Sequence, residues 1–246
     1  ASVCLELSSS ISPSFIQNLA FHPMNTNNPE HSGSGAFFSR EWPLIAILLL
    51  PFIALAIALP SLPAKVPMHF DSHGNVNRYG SPLELLILPG INVLVAILLY
   101  FIPRLDPKRE NIMASLPAYR WIRFTVAALL TYIFALTLAT CFNPKLDVMP
   151  LIAIGLLAMF FGLGLTMPKL KQNYMIGIRL PWTLESEDNW NRTHAFAGKL
   201  WVRGSLLGIV LALIFQSASF FIALGVIIMM VVWTGVYSYR IFQEEK

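Results

Sequence analysis

Six long apolar runs, at residues 42–59, 83–102, 121–141, 148–166, 200–215 and 219–239, constrain this chain more than any other feature. The hydrocarbon core of a bilayer is crossed by about 20 consecutive apolar residues in an α-helix. No water is available there to pair with backbone amides, so each run must satisfy its own hydrogen bonds and is expected to be helical. The expected fold class is therefore all-α: a polytopic membrane protein of about six transmembrane helices. Composition supports this. Only 12% of the residues are charged, against about 25% in soluble domains, which leaves too little polar surface to cover a water-soluble globule. Pro51 and Pro89 fall inside the first two runs and are expected to kink them. Only Gln216, Ser217 and Ala218 separate the last two runs, which predicts a tight helical hairpin.

Orientation follows from Lys and Arg. With six spans, the N-terminal tail, the second and fourth connections and the C-terminal tail share one side and carry fourteen of the seventeen basic residues. Lys65, Arg78 and Lys145 lie on the other. The positive-inside rule then places both termini in the cytoplasm. The same clustering explains the formal charge of +4. The bases sit between apolar runs, where they meet lipid headgroups, and they do not point to nucleic acid. Residues 1–41 read as an N-terminal polar tail, 42–240 as the membrane domain and 241–246 as a C-terminal tail. Within the first segment, Met24 is the expected natural start, with 1–23 upstream of it. Residues 25–39 are polar and are expected to be disordered.

The runs lack ionisable residues in their cores, and such residues are what usually mark ion pathways. Asn92, Thr131, Thr137 and Gln216 are expected to join helices by hydrogen bonds, and Gly204 and Gly208 to allow close helix packing. No zinc-protease, serine-hydrolase or phosphate-loop motif is present, and neither enzymatic activity nor a cofactor is expected. His69, Asp71 and His73 would share one face of a strand and could hold a metal. The sequence Ser72-His73-Gly74-Asn75 reads instead as a turn that breaks the alignment.

Two connections carry more sequence information than linkers need. The first, residues 60–82, contains prolines that bar a helix and two extended stretches, 66–70 and 75–79, on either side of Gly74. A small cap or hairpin is expected, with Pro67, His69, Phe70, Gly74, Arg78 and Tyr79 as candidate partner-binding residues on the outer face. The second, residues 167–199, contains Asn173, Gly177, Arg179, Pro181, Trp182, Thr183 and His194, which are candidates for partner binding or for structure on the inner face. Thr183 is expected to cap the following helix. Trp190, His194, Ala197 and Trp201 recur at helical spacing and are expected to form a packing stripe. Arg192, Lys199 and Arg203 lie off that stripe and can face lipid phosphates.

Leu62-Pro63, Val66-Pro67, His69-Phe70, Gly74 and Arg78-Tyr79-Gly80-Ser81, together with Asn173-Tyr174, Ile176-Gly177-Ile178-Arg179, Pro181-Trp182-Thr183-Leu184, Trp190, Thr193-His194 and Gly198-Lys199, resemble the two loop motifs of the SdpI family of bacterial membrane proteins. The resemblance covers roughly residues 42–240. It implies residence in the bacterial cytoplasmic membrane and immunity against a membrane-active peptide toxin met on the outer face. It also implies signalling, by holding a cytoplasmic transcriptional repressor at the membrane. Three other readings stand beside it. A peptide or small-molecule transporter is disfavoured by the uncharged spans. A metal hydrolase would depend on His69, Asp71 and His73. The third is a structural membrane protein without a toxin partner.

Overall fold

Apolar side chains all round a helix can be covered only by lipid or by other such helices, and the chain folds accordingly. The computed structural model describes residues 33–246, with side chains from Glu41 onward. The expectations for Met24, for 1–23 and for most of the disordered tail lie outside the described residues. Helix α1 is Gly33–Ala58. An antiparallel hairpin follows, β1 Val66–Phe70 and β2 Val76–Gly80. The remaining helices are α2 Ile87–Leu105, α3 Arg109–Ala114, α4 Leu116–Phe142, α5 Val148–Gly164, α6 Pro181–Glu185, α7 Glu187–Ile214 and α8 Ser219–Glu244. Six helical segments among the described residues are long and apolar enough to cross a membrane. The protein is a multi-pass membrane protein, and Trp42–Lys246 form one unit.

Several boundaries depart from the apolar runs. Helix α1 begins at Gly33 rather than at Trp42, α4 at Leu116 rather than at Trp121, and α7 at Glu187 rather than at Leu200. Extending an existing helix adds a hydrogen bond per residue, whereas starting one is costly, so helices run past their apolar segments. At 28 residues, α7 is about 42 Å long, longer than the roughly 30 Å hydrocarbon core. Its polar first turns can therefore stand outside the membrane. The same extension puts Arg123 inside α4, where it is buried with its guanidinium 5.6 Å from the Tyr100 ring centre. Arg123 is the one charged residue buried in the first turns of this helix, outside the central part of the span, where no ionisable residue is expected. The kink expected at Pro89 is corrected: it is the third residue of α2, in the first turn, where its missing N–H has no intrahelical partner to lose. Pro51 does lie within α1.

Helices α5, α7 and α8 pack on one another, α4 packs on α5, and α2 packs on α4. Gly204 and Gly208 allow the close approach expected of them. A Cβ at Gly204 would lie 2.5 Å from Met230 Sδ, and one at Gly208 would lie 2.9 Å from Leu157. In the interior, Asn92 donates to Ala127 O and to Thr131 Oγ1, both at 3.1 Å, and Thr131 Oγ1 donates to Ile47 O at 2.9 Å. This chain of bonds ties α2, α4 and α1 together. Thr137 instead donates to Ile133 O of its own helix. A 3-10 turn at Gln216–Ala218 joins α7 to α8, as the short polar gap predicts.

Chain direction sorts the connections between two ends. The hairpin, the turn after α4 and the α7–α8 turn share one end. The α2–α4 connection, the long loop after α5 and the C-terminus share the other.

Candidate functional site

At the hairpin end, two strands and the five-residue connection between them form a roof. The turn needs Gly74, whose φ of +86° is unfavourable for other residues. Asp71 Oδ1 accepts the N–H groups of His73 (2.8 Å) and Asn75 (2.9 Å), and the Asn75 amide donates to Oδ2 at 3.1 Å. These bonds, the Asn75 side chain foremost, hold the Asp71 carboxyl below the usual carboxylate range. Asp71 thus organises the turn, and strand β1 stops at Phe70, so His69, Asp71 and His73 do not line up along a strand. Among the described residues no group of three His, Cys, Asp or Glu could hold a metal ion.

The roof is anchored at its base and reaches across the bundle at its tip. Val66 is fully buried among Leu55, Leu85 and Phe134. At the other extreme, His73 meets Phe221 of α8 edge-on at 6.2 Å, and Gly74 sits over Met149 of α5. Glu84 joins the roof to α2: its Oε1 accepts Ser81 N–H at 2.8 Å, and its Oε2 accepts from Arg78 Nη1 at 3.2 Å. Beneath the roof lies a cavity of about 460 Å³. Its walls are apolar, from Leu88 and Ile91 of α2, Ile133 and Phe134 of α4, Met149 and Ile152 of α5 and Phe220 of α8, while His69, Asp71, Arg78 and Glu84 supply a polar rim. Of the hairpin candidates, His69, Phe70 and Arg78 line this cavity, and His69 Nδ1 also lies 2.6 Å from Asn77 Oδ1. Gly74 forms the turn, Pro67 is buried, and Tyr79 is 57% exposed and outside the cavity.

At the opposite end the long loop is strapped down residue by residue. Asn173 is buried, and its Oδ1 accepts the N–H groups of Met175 and Ile176 at 3.0 and 2.7 Å. His194 Nδ1 lies 2.8 Å from Trp190 O, and Nε2 accepts Ile178 N–H at 3.0 Å. A carbonyl on one side and an amide hydrogen on the other require the neutral ring with its proton on Nδ1. Gly177 has a φ of +109°, and a Cβ there would lie 2.6 Å from His194 Nε2. Thr183 is buried in α6, where its hydroxyl accepts Leu180 N–H at 2.9 Å and donates to Ile178 O. It does not cap α7. Ser186, next to that helix, does so by accepting Asn189 N–H at 3.1 Å. The break between α6 and α7 makes Ser186 the residue preceding the long helix. Trp182 Nε1 donates to Ser238 Oγ at 2.8 Å, and its ring stacks on Phe242 at 5.6 Å. Arg179 is exposed and donates to Tyr174 O at 3.0 Å, and Pro181 is exposed beside it.

The expected stripe is present: Trp190, His194, Ala197 and Trp201 are all buried on α7, and Trp190 Nε1 donates to Leu170 O at 2.8 Å. Off the stripe, Lys199 and Arg203 are exposed, while Arg192 pairs with Asp188 and with Glu244.

Sequence reasoning missed the partners of this loop. Buried Gln172 donates to Thr183 O and Leu184 O at 2.9 and 3.0 Å and accepts from Lys108 Nζ. Asp106 Oδ2 accepts Tyr174 N–H at 2.9 Å. The contacts with Lys108 and Asp106 join segments more than 60 residues apart and leave no local signal. Glu84 was readable, because Ser81 followed three residues later by Glu is a capping pattern.

Residues 169–238 match the model of the SdpI/YfhL protein family. That region takes in the strapped loop, α6 and α7 and most of α8. Residues 46–93, which include the hairpin, match a domain of unknown function, DUF1648. The chain is also similar to the immunity protein SdpI of Bacillus subtilis (strain 168), with 25% identity over 189 residues, 76% of this chain and 85% of that protein. No solved structure matches. The resemblance read from the two loop motifs is therefore borne out.

Proposed function

We propose that this protein protects its cell against a membrane-active peptide, with the hairpin end on the outer face and both termini in the cytoplasm. The observation that carries the reading is the similarity to an immunity protein across 76% of the chain. The hairpin supports it: Arg78 and Tyr79 are exposed on a rigid roof, in position to meet a peptide arriving at the membrane surface. The orientation rests on the asymmetry of Lys and Arg.

The loop end then faces the cytoplasm. Its interior residues, Asn173, Gly177, Thr183 and His194, hold the loop together, and exposed Arg179 and Pro181 present a surface beside Trp182. A transcriptional repressor, the partner that the family resemblance implies, would dock there. Nothing in this reading requires a catalytic group or a cofactor.

The test is survival of a sensitive bacterial host, with and without the protein, against a panel of membrane-active peptides. Selective rescue is expected, and no rescue with the protein confirmed in the membrane would refute the immunity reading. In the same assay Arg179→Ala combined with Trp182→Phe should abolish function while membrane insertion persists. Full protection by that variant would remove the loop from the mechanism.

A further inference from the structure

The cavity under the hairpin has the form of an amphiphile site, and its opening says from where the amphiphile comes. Helix α2 packs on α4, whereas α5 and α8 pack with α7 on the far side of α4. The hairpin bridges the gap between α2 and the α5–α8 pair, so the cavity is roofed yet open sideways. Ile87 and Ile91 of α2 line it and are 51% and 44% exposed. On a membrane-spanning helix such exposure is to lipid. The cavity volume of about 460 Å³ falls within the range of roughly 300–1,000 Å³ typical of small-molecule sites, which are apolar with a few placed polar groups.

The charged groups are not spread around this cavity. They lie on the roof and at its junction with α2 and carry both signs. Arg78 is the cation. Glu84 is an anion, and the turn's hydrogen bonds favour the ionised form of Asp71. The Arg78–Glu84 pair is partly solvent-exposed, with side-chain exposures of 55% and 36%, and Arg78 uses one of its five N–H groups in that pair. A ligand phosphate can therefore take other N–H groups of Arg78 while an ammonium approaches Glu84 beside it. A purely anionic headgroup would meet two carboxylates for one guanidinium.

We infer that the hairpin cavity binds one zwitterionic, amine-bearing phospholipid taken laterally from the bilayer, with an acyl chain against Ile91, Ile133 and Ile152 and its headgroup at the Arg78–Glu84 pair. The lipid would fill the space beneath the roof and support the hairpin from below. The site shares Arg78 with the surface proposed to meet a peptide, but lipid occupancy does not require the immunity reading to hold.

The test uses the full chain purified in mild detergent and native mass spectrometry. Phosphatidylethanolamine and phosphatidylglycerol with the same acyl chains are titrated in turn. One retained phosphatidylethanolamine per protein is expected, binding about tenfold or more tighter than phosphatidylglycerol, equivalent to roughly 1.4 kcal/mol. Arg78→Ala, which removes the phosphate partner common to both lipids, should weaken retention of both, whereas Glu84→Gln should erase the preference for phosphatidylethanolamine. Ile152→Trp, or the milder Ile133→Phe, should fill the cavity and abolish retention. Leu224→Trp, on an exposed face of α8 outside the cavity, should change nothing. Glycerophosphoethanolamine, a headgroup without chains, should fail to compete. Equal retention of the two lipids would overturn the inference, as would retention that survives both cavity-filling variants, because either marks annular lipid only. A photo-crosslinker at Ile152 that captures a protected-against peptide and no lipid, in membranes holding both, would overturn it in favour of a peptide site.

Discussion

Gly177 is where the strapped loop can be tested most sharply, through Gly177→Ala. The backbone there has a φ of +109°, and an alanine Cβ would stand 2.6 Å from His194 Nε2. Holding an L-residue in such a sparsely populated conformation costs about 1–3 kcal/mol. The methyl group must also push the imidazole away from Ile178 N–H, which lies 3.0 Å from Nε2. Leaving a buried donor unpaired costs about 1–3 kcal/mol. The two contributions predict a loss of roughly 2–6 kcal/mol. For a chain of this size that corresponds to a fall in melting temperature on the order of 5–20 °C. The assay is thermal unfolding of the protein in detergent, with both proteins scanned at one rate because membrane proteins often unfold irreversibly. A His194→Ala background separates the two contributions. There the conflict with the imidazole is gone, leaving the backbone cost and a tight contact with the Trp190 ring at 3.1 Å, so Gly177→Ala should be less harmful by about 1–3 kcal/mol. An unchanged melting temperature would refute the strained-turn account. Strict additivity of the two substitutions would refute the contact between residue 177 and the imidazole.

Three further outcomes follow from the same geometry. Trp182→Phe loses the 2.8 Å bond to Ser238 but keeps a ring against Phe242, and should cost about 0.5–2 kcal/mol. Trp182→Ala also loses the stacking and should cost roughly twice as much, checked by thermal unfolding of the pair. Thr131→Val removes both the acceptor for Asn92 and the donor to Ile47 O, and should lower stability by about 1 kcal/mol. A cysteine cross-link between α1 and α4 should then rescue it. The hairpin should be pH-dependent in one direction. The Asp71 carboxyl is held low by its turn, so its contribution is complete above the ordinary carboxylate range and is lost as pH falls through the lowered value. Protection of the His73 and Asn75 amides, taken as exchange relative to the intrinsic rate at each pH, should fall across that acid window, and Asp71→Asn should flatten the response.

What this sequence determined alone is its architecture. A run of apolar residues long enough to cross a membrane admits one backbone solution, because lipid offers no hydrogen-bond partners. Six runs therefore meant six helices, and no tertiary detail could alter that. The hairpin was legible for a related reason: prolines and Gly74 restrict the backbone locally, so strands 66–70 and 76–80 appear within a residue of their expected places. The stripe of Trp190, His194, Ala197 and Trp201 was legible through helical period.

The start of α4 was less legible, because extending it past its apolar segment depends on what the extra turns pack against. Tertiary structure alone decided the rest. Thr183 reads locally as a cap, but its hydroxyl bonds Leu180 and Ile178 because α6 breaks from α7 at Ser186. Gln172 and Asp106 carry no local pattern, since their value lies in partners brought near by the fold. The cavity is the fullest case. Leu88, Ile91, Ile133, Ile152 and Phe220 are ordinary span residues in sequence. They enclose a space only because α2 stands apart from α5 and α8 while the hairpin bridges them. Local conformation is set by the residue and its neighbours, but an enclosed volume is set by distances between segments that the sequence does not place side by side.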